Sequence, residues 1–306
     1  MAGAHAAPPA SRLSLNDRLS YAAYRAAAEI ASRLPEGAAN RVGRELARAA
    51  APFLGKRGVM VAKNASRARG RALNPLEERQ AVRAAVASYA RYWVESLRLP
   101  AMDPAVVDAR FSIEGLEHIS AAREAGRGAV LALPHVGGWE VGGSWFVRRG
   151  FPLAVVVEPV RPPRLFEWFA DLRRSFGFTV IPLGKDAFAG VMRALRENQV
   201  VALVTDRDIA GGGVEVDFFG EKTTLPAGPA ICALRAGAPL LPTAVYFCGD
   251  GWHAVVRPPL PAERHGRLGD DAARLTQALA YELEDLIRAA PEQWHLFQPN
   301  WPSDQA

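Results

Sequence analysis

The sequence predicts an α/β protein in which a mixed, mostly parallel central sheet is flanked by helices and preceded by a basic amino-terminal helical region. Three observations support this fold class. Short apolar runs bounded by glycine or proline recur after residue 127, which is typical of buried strands. The first hundred residues instead repeat Ala, Leu and Arg at the spacing of amphipathic helices. The chain has 306 residues and is 49% hydrophobic, which is enough to bury a large core.

The amino-terminal region is predicted to form helices over roughly residues 15–34, 38–53 and 75–98. Residues 1–100 hold 17 Lys and Arg against 7 Asp and Glu, a net charge of +10, whereas the remainder holds 20 against 25, a net charge of −5. Basic amphipathic helices can lie on anionic lipid, so an anionic membrane surface is the expected partner. Nucleic acid is not expected, because no helix-turn-helix, zinc or aromatic RNA-binding signature is present. The alternative is that these arginines form ordinary solvated helix faces.

The later part of the chain supplies the strands of the predicted sheet. Residues 1–11 are expected to be a disordered tail, 12–301 one domain (12–100 basic helical region, 101–301 α/β core) and 302–306 a second tail. Residues 187–197 are predicted to be helical, and 214–218 alternate like a half-exposed strand before a Gly/Pro-rich turn. The apolar runs predicted as strands are 128–133, 151–157, 178–181, 200–205, 239–247 and 253–256.

A histidine and an acid follow the first of these apolar runs. Pro134 ends the run and two glycines allow a tight turn, so His135 is expected at the carboxyl end of a strand, with Glu140 five residues further on. Ligands of open α/β sheets bind in that crevice. A neutral imidazole there can take a proton from an alcohol if a carboxylate holds its other nitrogen. The alternative is a structural histidine beside a helix-capping acid.

Two further strand ends carry charged side chains. The run 200–205 leads into Asp206 and Arg207, which makes this strand end a second candidate part of the site, although such a cluster is also typical of a solvated turn with local ion pairs. Glu158, Arg161 and Arg164 follow the run 151–157. Guanidinium groups bind phosphoryl oxygens in bidentate fashion, so these arginines are candidates for substrate binding. The alternative is a surface pair beside a proline turn.

Several classes of protein are not expected. The two cysteines, Cys232 and Cys248, stand in apolar surroundings and suggest neither a disulfide nor a zinc site. The histidines have no zinc-binding spacing, so no metal is expected, and His118, His253 and His295 are predicted to serve packing or surface roles. The chain has no GxGxxG or GxSxG motif. Without an apolar run of membrane-spanning length or a leader sequence, it is expected to stay in the cytoplasm.

Four blocks together resemble one known family. In chain order they are LALPHVGGWE (131–140), EPVRPPRLFEWF (158–169), TDRDIAGGGVEVDFFGEKTTLPAGPA (205–230) and PEQWHLFQPNW (291–301). As a set, over residues 15–301, they resemble the lipid A late acyltransferase-like family of the glycerolipid acyltransferase superfamily, and most closely its phosphatidylinositol mannoside branch. The resemblance implies transfer of a long-chain acyl group from acyl-CoA to a sugar hydroxyl of a membrane glycolipid, with a mannose of phosphatidylinositol mannoside as the expected acceptor.

The resemblance also implies roles for particular residues. His135 would be the general base on the acceptor hydroxyl. The mannoside branch usually has glutamate where this chain has Asp206, and that acid pairs with the histidine, whereas many relatives have aspartate where Glu140 stands. Which of the two acids orients His135 stays open at this point. Arg207 or neighbouring backbone amides would stabilise the tetrahedral oxyanion, and Glu158, Arg161, Arg164 and Arg207 would bind substrate.

The resemblance implies acyl-CoA as a donor substrate, no bound cofactor and a peripheral position on the cytoplasmic face of the cell membrane. Two alternatives remain. The acceptor could be another lipid, such as a lysophospholipid or a lipid A-like disaccharide. The protein could instead be a non-catalytic lipid-binding protein, but the intact His135, Glu140 and Asp206 argue against this.

Overall fold

The computed structural model describes residues 15–209 and 211–305, so the tail predicted over residues 1–11 lies outside the described residues. The helices are α1 (Leu15–Arg33), α2 (Glu36–Ala50), α3 (Lys56–Ala68), α4 (Pro75–Arg98), α5 (Pro104–Arg110), α6 (Leu116–Glu124), α7 (Trp139–Arg148), α8 (Pro163–Ser175), α9 (Ala187–Arg196), α10 (Gly228–Ala236) and α11 (Leu268–Ala289). The strands are β1 (Phe111–Glu114), β2 (Ala129–Leu133), β3 (Leu153–Val157), β4 (Thr179–Pro182), β5 (Val200–Val204), β6 (Val214–Phe218), β7 (Glu221–Leu225), β8 (Leu240–Cys248) and β9 (Gly251–Val256). Short 3₁₀ turns cover Ala51–Phe53, Leu99–Ala101, Pro291–Gln293 and Pro302–Asp304.

The central sheet has seven strands in the order β1-β9-β8-β2-β5-β3-β4. All neighbours pair in parallel except β8 and β9, which form an antiparallel hairpin. β6 and β7 form a separate antiparallel pair. The predicted fold class, a mixed and mostly parallel sheet flanked by helices, is therefore confirmed.

Strand β2 lies in the middle of the sheet, and all five of its residues are buried. Successive side chains point to opposite faces, so Val130 and Ala132 join one core cluster while Leu131 and Leu133 join the other. The first cluster packs against α9, α10 and α11, and the second packs against α6 and α7. Burial on both faces explains why this strand has a continuous apolar sequence rather than an alternating one.

The basic helical region is present, with one helix more than the sequence predicted. Helices α1 and α4 follow the predicted bounds within one residue, but the second predicted helix ends at Ala50 and continues as a 3₁₀ turn through Phe53. The additional helix is α3, whose buried face includes Met60, Val61 and Ala65. Small residues and a glycine weaken its apolar pattern, which is why the sequence did not indicate it.

A buried carboxylate ties this helical region to the sheet. Glu95 of α4 is 1% exposed and accepts hydrogen bonds from Asn40 of α2 at 3.2 Å, Arg91 of α4 at 2.6 Å and Trp252 of β9 at 2.8 Å. The Arg91 guanidinium also donates to the carbonyl of Gly249 at 2.8 Å. Two helices and the strand hairpin thus share one polar network. Buried charges of this kind must be paired, because their desolvation is costly.

Other differences concern weak sequence patterns. The segment predicted as a Gly/Pro-rich turn after residue 218 contains β7, because its threonines pair with β6. Residues 302–304, predicted to belong to a tail, form a 3₁₀ turn in which Asp304 is buried against Arg67 at 2.9 Å. Cys248 is exposed at the end of β8 rather than in apolar surroundings, whereas Cys232 is buried. Within residues 15–209 and 211–305, no helix combines the length and apolar character needed to cross a bilayer.

We expect Glu95→Ala to lower the free energy of unfolding by about 3–5 kcal/mol, because the buried Arg91 guanidinium then loses its counter-charge. Urea unfolding followed by circular dichroism measures this change. Glu78→Ala, at an exposed position of the same helix, is the matched control and should stay within about 0.5 kcal/mol of wild type. Equal effects of the two substitutions would contradict the stabilising role of the network.

Candidate active site

His135 stands at the carboxyl end of β2, where a sharp turn leads into α7. Gly137 has φ +63°, and a Cβ atom there would meet the Val245 carbonyl oxygen at 2.1 Å. The amide of Gly138 donates to the same carbonyl at 2.8 Å. Only glycine fits this backbone geometry without strain. The close approach of the turn to β8 therefore fixes where His135 leaves the sheet.

Asp206 stands at the end of β5, the parallel neighbour of β2. The register pairs Leu133 with Val204, and the Thr205 amide donates to the Leu133 carbonyl at 2.8 Å. The two strand ends therefore meet, and His135 Nδ1 lies 2.6 Å from Asp206 Oδ1. The His135 amide donates to the other carboxylate oxygen at 3.0 Å. Since Nδ1 is used in this pair, Nε2 is the nitrogen left to meet a substrate.

The Asp206 carboxylate is fully buried, and the carboxyl-terminal segment completes its hydrogen bonds. The Trp294 indole N–H donates to Oδ2 at 2.7 Å. The Asn300 side-chain amide donates to the backbone carbonyl of the same residue at 3.1 Å. Burial acts to raise the pKa of Asp206, but the charge and hydrogen bonds of His135 together with the Trp294 bond outweigh it and lower that pKa below its ordinary value. The carboxylate is therefore ionised where it contacts the imidazole.

Glu140 is in the first turn of α7 and has a different partner. It is 4% exposed, forms an ion pair with Arg173 of α8 and accepts a hydrogen bond from the Tyr92 hydroxyl at 3.4 Å. Burial and the nearby Glu140 charge raise the pKa of Tyr92 well above its ordinary value, so this hydroxyl keeps its proton. The structure thus pairs His135 with Asp206 and Glu140 with Arg173.

A cavity of about 700 Å³ adjoins these residues. This volume is within the range of about 300–1,000 Å³ that is usual for ligand sites. His135 and the Glu140–Arg173 pair line it, together with apolar side chains that include Leu131, Leu133, Phe146, Leu153, Phe169, Phe178 and Val191. The arrangement is a mostly apolar pocket with one histidine–carboxylate pair, which suits a long hydrocarbon chain whose reacting end lies at His135.

The other predicted substrate-binding residues divide into two groups. Glu158 and Arg207 line the cavity. Arg161 and Arg164 are exposed near the start of α8 and are not among the lining residues. The Arg164 guanidinium instead lies over the Tyr21 ring at 4.4 Å from its centroid. The structure therefore places Glu158 and Arg207, and neither Arg161 nor Arg164, where a ligand in this cavity could contact them.

Sequence reasoning missed three residues of the site: Arg173, Trp294 and His295. His295 was predicted to serve a packing or surface role, and at 5% exposed it is packed in the interior; it also lines the cavity and donates its backbone N–H to the His135 carbonyl at 2.7 Å. Burial, and to a lesser degree the His135 charge, lower the pKa of His295 to about 3. The PEQWHLFQPNW block contains both Trp294 and His295, but it is far from His135 and Asp206 in the sequence, so the sequence alone did not indicate that it contacts them.

Comparison with known proteins identifies the class. Residues 12–303 match the family described as bacterial lipid A biosynthesis acyltransferase, so the chain belongs to that acyltransferase family, and the resemblance inferred from the four blocks is confirmed.

Particular relatives extend this finding. The chain is 42% identical over 226 residues to the phosphatidylinositol mannoside acyltransferase of Mycolicibacterium smegmatis, covering 73% of each protein. It is 44% identical over 226 residues to the protein of the same name from Mycobacterium tuberculosis, covering 72% of this chain and 70% of the relative. A lipid A biosynthesis acyltransferase of Haemophilus influenzae is 27% identical over 187 residues, covering 59% and 55%.

The pKa of His295 predicts a pH dependence of stability. Its folded-state pKa of about 3 is below the ordinary 6.5, so between these values the unfolded chain binds a proton that the folded chain does not. The stability linked to neutral His295 is complete above about pH 6.5 and is lost as the pH falls, by roughly 1 kcal/mol per pH unit.

We therefore expect the free energy of unfolding of His295→Asn to fall less steeply than that of wild type between about pH 7 and about pH 5. Urea unfolding at several pH values measures both slopes. His265→Asn, at an exposed histidine, is the matched control and should keep the wild-type slope. Identical slopes for wild type and His295→Asn would contradict the buried, neutral state of His295.

Proposed function

We propose that this protein transfers a long-chain acyl group from acyl-CoA to a sugar hydroxyl of a membrane glycolipid, with a mannose of phosphatidylinositol mannoside as the acceptor. The observation that carries the proposal is the His135–Asp206 pair beside a mostly apolar cavity of about 700 Å³, in a member of an acyltransferase family. The names of the two mycobacterial relatives support the acceptor.

In the proposed reaction His135 is the general base. Asp206 accepts the Nδ1–H and stays ionised, so the Nε2 lone pair can take the proton of the acceptor hydroxyl. The hydroxyl oxygen attacks the thioester carbonyl carbon and forms a tetrahedral intermediate. When this intermediate collapses, the C–S bond breaks and the coenzyme A thiolate takes the proton from the His135 imidazolium. The products are the acylated glycolipid and free coenzyme A.

The cavity walls suit the acyl chain of the donor. Burial of each methylene group contributes about 0.8 kcal/mol, so an apolar pocket favours long chains. Glu140 and Arg173 also line the cavity, but their charges neutralise each other within an ion pair. Arg207, which is partly exposed at the cavity, is proposed to contact the polar part of a substrate, and Glu158 is available to its hydroxyl groups.

The amino-terminal helices are proposed to hold the protein on the cytoplasmic face of the cell membrane. Leu46 of α2 is 67% exposed and Phe53, in the following 3₁₀ turn, is 86% exposed. The basic residues Arg41, Lys56 and Arg57 are exposed on the same part of the chain. Apolar and basic groups that are exposed together favour the interface of an anionic bilayer.

Two other functions remain as alternatives. A lysophospholipid or a lipid A-like disaccharide could be the acceptor, and the Haemophilus relative supports the second of these at lower identity. A non-catalytic lipid-binding protein would have no need for a buried carboxylate that holds His135 at 2.6 Å. In the direct test, the purified protein is incubated with each acceptor in turn and with a radiolabelled palmitoyl thioester of either coenzyme A or acyl carrier protein. The lipid products are then separated by thin-layer chromatography.

We expect His135→Ala to lower turnover by about 10²–10⁴-fold, since that is the usual contribution of a general base. Asp206 acts through this histidine, so the double variant with Asp206→Asn and His135→Ala should have a turnover only slightly below that of His135→Ala alone. Glu140→Gln acts elsewhere in the site, so its effect should add to that of His135→Ala. Initial rates of free coenzyme A release measure both double-mutant cycles.

His265→Ala is the control for the loss of a histidine and should keep wild-type turnover. The proposed base is wrong if the folded His135→Ala protein keeps more than half of the wild-type turnover. The proposed partner is wrong if Asp206→Asn is nearly as active as wild type while Glu140→Gln is as inactive as His135→Ala.

We expect binding to vesicles that contain anionic lipid to weaken steeply with added salt, because exposed charges are screened beyond about 8 Å at physiological ionic strength. Replacing Arg41, Lys56 and Arg57 together by glutamine should weaken this binding, since each basic residue near the surface contributes about 1 kcal/mol. Sedimentation with anionic and with neutral vesicles measures the effect.

The matched control replaces Arg264 and Arg267, two exposed arginines before α11, by glutamine and should bind anionic vesicles as wild type does. Equal sedimentation of wild type with neutral and anionic vesicles at low salt would exclude electrostatic docking. Equal weakening by both sets of substitutions would show that net charge, rather than the amino-terminal helices, governs binding.

A further inference from the structure

Three exposed apolar side chains border the mouth of the active-site cavity. Among residues 101–209 and 211–305, which follow the basic helical region, four large apolar side chains are exposed, and three of them line this cavity. These three, called the apolar rim, are Val160, Phe188 and Ile209, each 39% or 40% exposed. The fourth is Tyr281 of α11, which is not among the lining residues. Exposed apolar groups that collect at one place usually mark a surface that binds another molecule.

The rim residues come from neighbouring elements at the carboxyl edge of the sheet. Val160 follows β3 and Ile209 follows β5, and these two strands pair in parallel. Phe188 is in the first turn of α9, the helix after β4, which pairs in parallel with β3. The same edge holds His135 at the end of β2, and His135 lines the same cavity. The cavity therefore joins the apolar rim to the reactive histidine.

An arginine accompanies each residue of the apolar rim. Arg161 directly follows the rim valine in the sequence, and Arg207 stands two residues before the rim isoleucine. The third is Arg235 of α10, whose guanidinium carbon lies 5.3 Å from the centroid of the Phe188 ring. Within residues 15–209 and 211–305, none of these three arginines forms an ion pair. Their charges are therefore available to an anionic partner outside the chain.

The charged groups near the mouth have a small positive excess. Asp208 accepts hydrogen bonds from two backbone amides of the loop 211–213, at 3.0 Å and 2.8 Å, so its charge is stabilised within the chain. Glu158, Lys185 and Asp186 are exposed. With Lys185, the three arginines outnumber the three acids. Apolar side chains with arginines among them suit the headgroup region of an anionic bilayer.

The cavity wall beside the mouth also contacts the helical region that is proposed to meet the membrane. Arg164 of α8 lies over the Tyr21 ring of α1. Tyr24 of α1 packs on Phe169 of α8, with 5.5 Å between ring centroids, and Phe169 lines the cavity. Helix α1 therefore packs directly on a helix that forms the cavity wall, so a membrane bound by the amino-terminal helices would lie close to the mouth.

We propose that the apolar rim inserts into the headgroup region of an anionic bilayer, so that the cavity opens onto the membrane. This inference rests on the proposed acyl transfer, and it names the surface through which the acceptor reaches the site. The acyl chains of the glycolipid stay in the bilayer while its sugar enters the mouth and approaches His135. The rim binds lipid and takes no part in proton transfer.

The first test places an environment-sensitive dye at the rim. Cys248 is exposed and Cys232 is buried, so Cys248→Ser removes the accessible thiol. In this background Phe188→Cys and Ile209→Cys are each labelled with a dye whose emission shifts to the blue in an apolar medium. Tyr281→Cys, labelled in the same way, is the matched control. We expect vesicles of phosphatidylcholine and phosphatidylinositol to cause a blue shift at both rim positions and none at the control position.

The second test replaces all three rim residues by serine. The exposed part of each side chain contributes about 3–8-fold to binding when it leaves water, so the triple variant should bind these vesicles at least about 30-fold more weakly than wild type. Tyr281→Ser should bind as wild type does. The ratio of kcat/KM for a glycolipid acceptor in vesicles to kcat/KM for a water-soluble mannoside should fall by a similar factor. An equal loss with both acceptors would show that these side chains act within the cavity and would overturn the proposal.

Other outcomes also decide the question. Docking by the rim is wrong if the dyes show no blue shift while wild type sediments with the same vesicles, or if wild type does not bind vesicles at all. A shift that needs no vesicles and grows with protein concentration would assign the rim to contact between copies of this chain. A shift with acyl carrier protein, and none with vesicles, would assign it to a protein partner.

The dye measurement requires no activity, so it separates the two proposals. A blue shift at the rim, together with absence of transfer to every acceptor, would overturn the proposed function and leave the rim as a membrane-binding surface. Transfer to a glycolipid without a blue shift would overturn the role of the rim alone. Circular dichroism checks that each variant is folded, and if the triple variant is not, the dye measurement decides.

Discussion

The parallel pairing of β2 with β5 is the constraint on which the site depends. Because Leu133 lies beside Val204, the residues that follow the two strands leave the sheet at the same point, and His135 contacts Asp206. A slip of one residue would turn the side chains of either strand to the other face. The Asp206 carboxylate is completely buried, so its charge must be stabilised by hydrogen bonds, which come from His135 and from the Trp294 indole.

The carboxyl-terminal segment, whose Trp294 supplies one of those bonds, is itself held by the basic helical region. Asn300 binds the Asp206 carbonyl, and Trp301 beside it is covered by the Arg67 guanidinium of α3 at 4.0 Å from the ring centroid. Arg67 also pairs with Asp304 at 2.9 Å. A continuous set of contacts therefore joins α3 to the backbone of Asp206, so the helices proposed to meet the membrane also support the reactive pair.

The sequence predicted the central strands β2, β3, β5 and β8 well, because buried parallel strands are continuous apolar runs with clear ends, but it did not indicate β1 or β7. It indicated His135 and Asp206 as candidate residues because each follows the end of such a run. It could not reveal Arg173 or His295, since neither stands at a strand end and their contacts join segments far apart in the chain. The long helix α11 was also missed, although its core positions include Leu275, Leu279 and Leu283 at helical spacing.

Asp206 stands where the resemblance implies glutamate, and Glu140 stands where it implies aspartate. These two differences in side-chain length do not compensate for each other, because the structure pairs only Asp206 with His135. Asp206 is short, but the backbone turn brings the His135 amide and imidazole within 3.0 Å of its carboxylate, so a longer side chain is not needed. Glu140 lies in the first turn of α7, where its side chain reaches Arg173 and Tyr92. Each acid therefore fits a different partner. The spacing of His135 and Glu140 in the sequence therefore does not reflect a hydrogen bond between them: His135 lies in the turn after β2, and Glu140 lies in the first turn of α7.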